Sequence, residues 1–290
     1  MNLSFWTDPW HSPTTWWLIA AAVFTSISCG IPGTFLVLRR MSLTGDAISH
    51  SVLPGIVIGF LVSGTLDSPW IILGAALSGW ITVVLIDLVS CKTGVRSDAA
   101  TGVVFTAMFS IGVVLMRVFA AKIDLDPDCV LFGNLETAVH GDRTTMGTWE
   151  IPNIVLTTGT AAFAALLSAL AIYHRLLATS FDPVLSRLTG QAPAQTNSLL
   201  LGITAAVVVT AFQSVGAIMA VALLVLPAST SLLVVRRLPF VLTGVVLHSI
   251  LASVAGIYLA TWAGCNLGAA VILSGAALLL IAIAFHKRNA

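Results

Sequence analysis

Two side chains stand apart in a sequence that is nearly free of charge. Asp46 and His50 lie four residues apart at the start of an apolar run, Met41 to Gly55. On a helix that spacing puts both on one face, one turn from each other. A carboxylate oxygen beside an imidazole nitrogen suits divalent ions such as Mn, Fe and Zn. The lack of a nearby thiolate weighs against softer metals. The pair gives two ligands, whereas metals want about four to six. A second copy of the chain, related by a twofold axis, would bring the number to four. The competing expectation is an Asp–His hydrogen bond that only ties helices together. With a span starting at Met41, His50 lies roughly 14 Å in, near the midplane of a bilayer core of about 30 Å.

The remaining chemistry is sparse. His248 falls in the middle of another apolar run and is a weaker candidate for lining a pathway; its alternative role is a hydrogen bond to a neighbouring helix. Asp87 sits a turn from the end of its run, within reach of Lys92 or Arg96. Cys129 and Cys265 are candidates for a disulfide, while Cys29 and Cys91 read as packing residues. Ser180 to Gly190 carries its own signals. Asp182 and Pro183 read as an N-cap followed by an N1 proline, and Gly190 as the residue that stops the helix. A short surface helix with both ends specified is more than a connector needs, so a docking element stands beside the plain connector. Gly55 with Gly59, and Gly264 with Gly268, have the spacing that lets membrane helices approach closely. Pro54 and Pro227 lie inside apolar runs, where proline kinks a helix.

These residues must be positioned by elements that live in lipid. Of 290 residues, 58% are hydrophobic and only 25 are charged, 13 Lys and Arg against 12 Asp and Glu. The mean hydropathy is +1.01. Soluble domains carry about 25% charged residues and need polar atoms over much of their surface. The composition therefore excludes an ordinary cytosolic enzyme, a nucleic-acid binder and a disordered regulator. It predicts an all-α polytopic membrane bundle, a single transmembrane unit over 1–290. Runs at 16–38, 41–64, 70–90, 100–120, 152–173, 197–213, 215–235, 240–261 and 267–285 give nine spans. Eight result if 197–235 is one helix. That stretch would be roughly 58 Å long, so it is divided near Gln213, Ser214 and Gly216.

Charge placement supports nine spans, with the N-terminus outside and the C-terminus inside. The inner segments then hold Arg39, Arg40, Lys92, Arg96, Arg175, Arg187, Arg236, Arg237, Lys287 and Arg288, ten of the thirteen basic residues. Arg117, Lys122 and Arg143 fall outside, with most of the acids. Trp6, Trp10, Trp16, Trp17, Trp70 and Trp262 fall near outer ends, as an aromatic belt would. The first run does not read as a cleaved signal, because residues 1–15 hold no Lys or Arg. The two long connections are an acidic extracytoplasmic loop at 121–151, which is a re-entrant or docking candidate, and a cytoplasmic segment at 174–196.

Three stretches together resemble the membrane-spanning permease subunits of the manganese, zinc and iron ABC importers. They are Arg39 through Gly55, Ser180 through Gly190 and Val215 through Thr230, in family order, with Leu131 to Asn134 adding to the likeness. The resemblance implies a permease that moves a divalent metal ion into the cytoplasm, with no prosthetic group. Its partners would be cytoplasmic ABC ATPase subunits, an extracytoplasmic metal-binding protein and a second permease chain, homodimeric or heterodimeric. The setting would be lipid of a bacterial cytoplasmic membrane, with no nucleic acid involved. It implies Asp46 and His50 as metal residues of the pathway. Asp182, Pro183, Ser186, Arg187 and Gly190 become the segment that docks on the ATPase. The residues after His50 resemble the manganese and iron branch more than the zinc branch. The chain has no Gly-x4-Gly-Lys-Ser/Thr phosphate loop, so an ATP-driven version needs its ATPase on another chain. An ion-coupled secondary transporter, with Asp46 as a relay, is the alternative. An intramembrane metalloenzyme would want a second ligand motif such as His-Glu-x2-His, which does not occur.

Overall fold

The computed structural model describes residues 13–64, 69–119, 135–146 and 149–289. Their element order is α1 (Pro13–Leu38), α2 (Ser42–Ser51), α3 (Leu53–Ser63), α4 (Pro69–Thr93), α5 (Ser97–Phe119), α6 (Leu135–His140), β1 (Arg143–Met146), β2 (Trp149–Pro152), α7 (Asn153–Ala171), α8 (Tyr173–Phe181), α9 (Pro183–Leu188), α10 (Pro193–Val215), α11 (Ala217–Val234), α12 (Leu238–Ala263) and α13 (Leu267–Asn289). Helices dominate because each satisfies its own backbone hydrogen bonds, which lipid cannot do. Among the described residues, eight stretches are long and apolar enough to cross a membrane; α11 contributes a shorter apolar stretch, Met219–Val234. The protein is a multi-pass membrane protein.

The break between α10 and α11 falls at Gly216, within the divided run. Its φ of 80° and ψ of 169° form a backbone conformation essentially reserved for glycine. The sequence expectation placed the start of this span at 197 and made it rather short. Pro193 in the first turn starts α10 earlier and gives it 23 residues. The run at 41–64 differs from expectation in another way. It is two helices, α2 and α3, interrupted at Val52, with Pro54 in the first turn of α3. Pro54 has no N–H to give the carbonyl four residues back, so the ladder cannot run through. That carbonyl is His50's; the next one along, that of Ser51, accepts from the Ser78 hydroxyl of α4 at 2.7 Å.

α1 is the central helix. It packs against α7, α10, α11 and α12, and Ala21, Thr25, Ser26, Cys29, Phe35 and Leu36 on it are fully enclosed. Hydroxyls join it to its neighbours: Ser26 donates to Ser249 at 2.9 Å, and Thr25 and Ser214 share a hydrogen at 3.2 Å. Where helices come closest, the residue is glycine. A Cβ at Gly55 would fall onto the Gly74 carbonyl oxygen, so α3 and α4 meet backbone to backbone there and again at Gly59. The second small-residue pair is divided: a Cβ at Gly268 would lie 2.7 Å from the Met219 sulfur of α11, but Gly264 makes no such contact. Gly264 has a φ of 61°, ends α12 as a left-handed cap and faces open space, so it is a turn residue.

The expected outer loop holds α6 and a two-stranded hairpin pairing Arg143 with Pro152 through Met146 with Trp149. Leu131 to Asn134, Cys129, Trp6 and Trp10 lie outside the described residues. Cys265 is exposed. Cys29 is buried, as expected for packing, whereas Cys91 is exposed at the end of α4. Trp16, Trp70 and Trp262 are all more than half exposed near helix ends, as an interfacial belt requires.

Candidate functional site

Asp46 and His50 meet on α2 as their spacing dictates. The His50 Nε2 lies 3.5 Å from Asp46 Oδ1. That is close enough to share a cation and too long for a strong hydrogen bond. Gly45, beside Asp46, lets α2 press onto Leu224 of α11; a Cβ there would sit 3.3 Å from the Leu224 side chain. α2 also packs on α5, α4 and α10.

Two residues of the site were not singled out from the sequence. The His50 ring packs against Phe105 at a centroid distance of 5.6 Å and, edge to face, against Phe109 at 5.8 Å. Both belong to α5, one turn apart. The rings restrict the imidazole, leaving its Nε2 edge turned to Asp46. Nothing in the sequence separates Phe105 and Phe109 from other aromatic residues on apolar helices.

The pair is open on one side. The side chains of Asp46 and His50 keep 47% and 24% of their accessible surface. A carboxylate half exposed on a membrane-embedded helix has not been given a permanent partner, and burying it alone would be costly. Among the described residues, no third His, Cys, Asp or Glu joins a group that could hold a metal. The chain offers two donors here, so a cation held at this pair would need further ligands from elsewhere. One hard oxygen and one imidazole fit Mn, Fe or Zn.

His248 is not brought to this pair. It is buried on α12, where its Nε2 faces Gly275 of α13; a Cβ there would lie 3.2 Å from it. Its Nδ1 has no hydrogen-bond partner among the described residues, so the expected tie to a neighbouring helix is not made through that atom. Asp87 accepts a hydrogen bond from Ser198 of α10.

The 180–190 segment forms the small helix that its signals predict. Asp182 accepts hydrogen bonds from the amides of Val184 at 3.0 Å and Leu185 at 2.9 Å. Gly190 has a φ of 79°. Its amide donates to Arg187, and the amide of Gln191 donates to Ser186, which is the Schellman pattern. Ser186 is buried and donates to the Gln191 side chain at 3.2 Å. By contrast Val184, Leu185 and Leu188 are exposed, Leu188 to 81%. Capping at both ends makes α9 rigid, and its apolar side chains point away from the bundle. Beside it a polar cleft of about 180 Å³ is lined by Arg175, Gln191, Gln195 and Thr196.

A helical membrane bundle with one intramembrane Asp–His pair and a rigid apolar helix at the basic end has the parts of a transport subunit. Comparison with known proteins gives the family. Residues 12–286 match the model of the ABC 3 transport family, so the chain belongs to that family. It is 37% identical over 263 residues to the manganese transport system membrane protein MntD of Bacillus subtilis, covering 88% of this chain and 86% of that one. It is 40% identical over 211 residues to the zinc transport system membrane protein TroD of Treponema pallidum, covering 72% of this chain and 57% of that one. Among solved structures it resembles PsaBC from Streptococcus pneumoniae in complex with Fab, with a TM-score of 0.79 and 29% identity. That match covers 97% of this chain and 95% of the other.

Proposed function

We propose that the chain is the permease subunit of an ATP-driven importer that carries a divalent transition metal into the cytoplasm of a bacterial cell. Manganese is the first candidate, then iron or zinc. The observation that carries this reading is the half-exposed Asp46–His50 pair on a membrane helix of an ABC 3 family chain. Manganese is the cargo named for the Bacillus subtilis relative and zinc that named for the Treponema pallidum relative. The hard carboxylate donor is compatible with both.

In this reading the basic end of the bundle faces the cytoplasm, following the positive-inside rule. The hairpin end meets an extracytoplasmic binding protein that delivers the ion. Two permease chains face each other so that each contributes an Asp46 and a His50. A cation between two such pairs is held by two carboxylates and two imidazoles, and the net charge buried in lipid falls. The exposed apolar side chains of α9 dock on a separate ATPase subunit. Asp182, Pro183, Ser186, Arg187 and Gly190 hold that helix in shape or in register. His248 remains a secondary pathway candidate that would act only if the bundle rearranges.

The test is uptake into vesicles by the permease assembled with its ATPase and binding protein, supplied in turn with Mn, Fe and Zn. Asp46→Ala and His50→Ala are expected to reduce uptake to background while the complex still assembles by size-exclusion chromatography. Wild-type uptake by both variants would remove the site. Gradient-driven transport by the permease alone, without ATP, would replace the whole reading by secondary transport.

A further inference from the structure

We propose that Arg39 is a positioning residue that links the ATPase-docking segment to the helix bearing Asp46 and His50. This rests on the transport function proposed above. Arg39 follows the last residue of α1 and precedes α2 by three positions. Each of its three side-chain nitrogens has a different acceptor. Nε donates to the Ser180 hydroxyl at 3.0 Å, Nη2 to the Thr179 hydroxyl at 2.6 Å and Nη1 to the Asn197 side-chain oxygen at 3.2 Å. Thr179 and Ser180 are in the last turn of α8, just before the cap residue Asp182 of α9. Asn197 is near the start of α10.

The guanidinium is planar, always charged and presents its donors in a fixed fork. Three neutral acceptors set along that fork fix direction, which a single ion pair would not do. Arg39 is half-buried, so its partners are not merely solvent-exposed neighbours. Asn197 is followed by Ser198, which hydrogen-bonds Asp87 of α4. The same turn of α10 is therefore held from two sides.

The backbone around Arg39 is equally constrained. The Arg40 amide donates to Val37 and the Met41 amide to Leu36, closing α1 with a Schellman turn. Arg40 takes the left-handed position of that turn with a φ of 59°, the one described non-glycine residue with positive φ. Such a corner is strained and stiff. The Thr44 amide then donates to the Met41 carbonyl at 3.0 Å, and Asp46 follows two residues later. Displacement of α8 and α9 thus reaches Asp46 through one guanidinium, one rigid corner and a single helical turn.

The experiment measures Mn uptake and ATP hydrolysis together in vesicles containing the assembled complex. Their ratio is insensitive to the fraction of folded complex, so a purely structural defect leaves it unchanged. Arg39→Ala is expected to lower Mn carried per ATP at least fivefold, with the KM for Mn within twofold of wild type. Asn197→Ala, which removes one acceptor, should lower the ratio less. Arg39→Lys, which keeps the charge but not the fork, should fall between Arg39→Ala and wild type. Uptake and hydrolysis falling together at constant ratio would overturn the proposal, as would a wild-type ratio in all three variants. If Arg39→Ala fails to assemble, an unchanged ratio in both Asn197→Ala and Arg39→Lys overturns it. A wild-type complex that moves no Mn, Fe or Zn overturns the transport function itself, and with it this link. A metal-transporting complex whose variants keep normal coupling overturns the link alone.

Discussion

His50 is held by Asp46 on its own helix and by Phe105 and Phe109 on the next. The aromatic contacts are worth about 0.5–1.5 kcal/mol each beyond simple burial. In the proposed pathway they would hold an imidazole nitrogen toward the cation, and groups that orient metal ligands matter to affinity even though they never touch the metal. Phe105→Ala should therefore raise the KM for metal uptake a few-fold, to about tenfold at most, the latter being roughly 1.4 kcal/mol. Phe105→Leu, which keeps bulk, should have a smaller effect. A KM unchanged by Phe105→Ala would mean that His50 is positioned by Asp46 and its backbone alone. The spacing of Asp46 and His50 was legible in the sequence because one helical turn forces their proximity. The phenylalanines were not, because their relation to His50 is a contact between α2 and α5, and an aromatic residue on an apolar helix has many possible neighbours.

Among the elements, glycine placement decides how closely the helices pack. Gly55 and Gly74 abut backbone to backbone, so a methyl group at either collides with a carbonyl oxygen that has nowhere to go. Gly159, on α7, would place a Cβ 3.5 Å from the Phe24 ring, an ordinary contact. Gly55→Ala is expected to destabilise the purified permease by about 1–3 kcal/mol as an overpacked interface. Gly159→Ala should be neutral, or stabilising by up to about 1 kcal/mol, because alanine is the better helix former. Thermal unfolding in detergent separates the two. Equal losses at both positions would show that close approach at Gly55 is not what the glycine supplies. The sequence marked Gly55 and Gly264 by the same spacing, yet only the first makes a close contact. Gly264 ends a helix, and a four-residue spacing does not record whether a helix continues through it.

For the molecule as a whole, the decisive feature is incompleteness. One chain offers two donors to a cation, and Asp46 keeps nearly half of its side-chain surface. α5, which supplies the phenylalanines, is also mostly exposed, with Val103, Val114 and Val118 open on its surface. A second chain facing this side would close the site and bring the ligand count to four. Metal titration of the assembled complex should then find one tightly held Mn for every two permease chains. Two independent ions for every two chains would mean that each chain completes its own site, and the shared arrangement would be withdrawn.

The sequence by itself determined that the chain lives in lipid, where the spans fall and which charges are anomalous. It did so because these properties depend on composition and on periodicity along one helix. The caps of α9 and the division at Gly216 were equally local, set by Asp182, Gly190 and a glycine backbone. Other features required the tertiary structure. The interruption at Val52 became visible only in the fold, where Ser78 of another helix donates to the Ser51 carbonyl beside it. Likewise Arg39 reads in the sequence as one more basic residue at a membrane edge. Only the folding of α1, α8 and α10 to one end of the bundle gives its three nitrogens their three acceptors. Contacts between residues 140 to 158 positions apart are fixed by helix packing, and no local pattern encodes them.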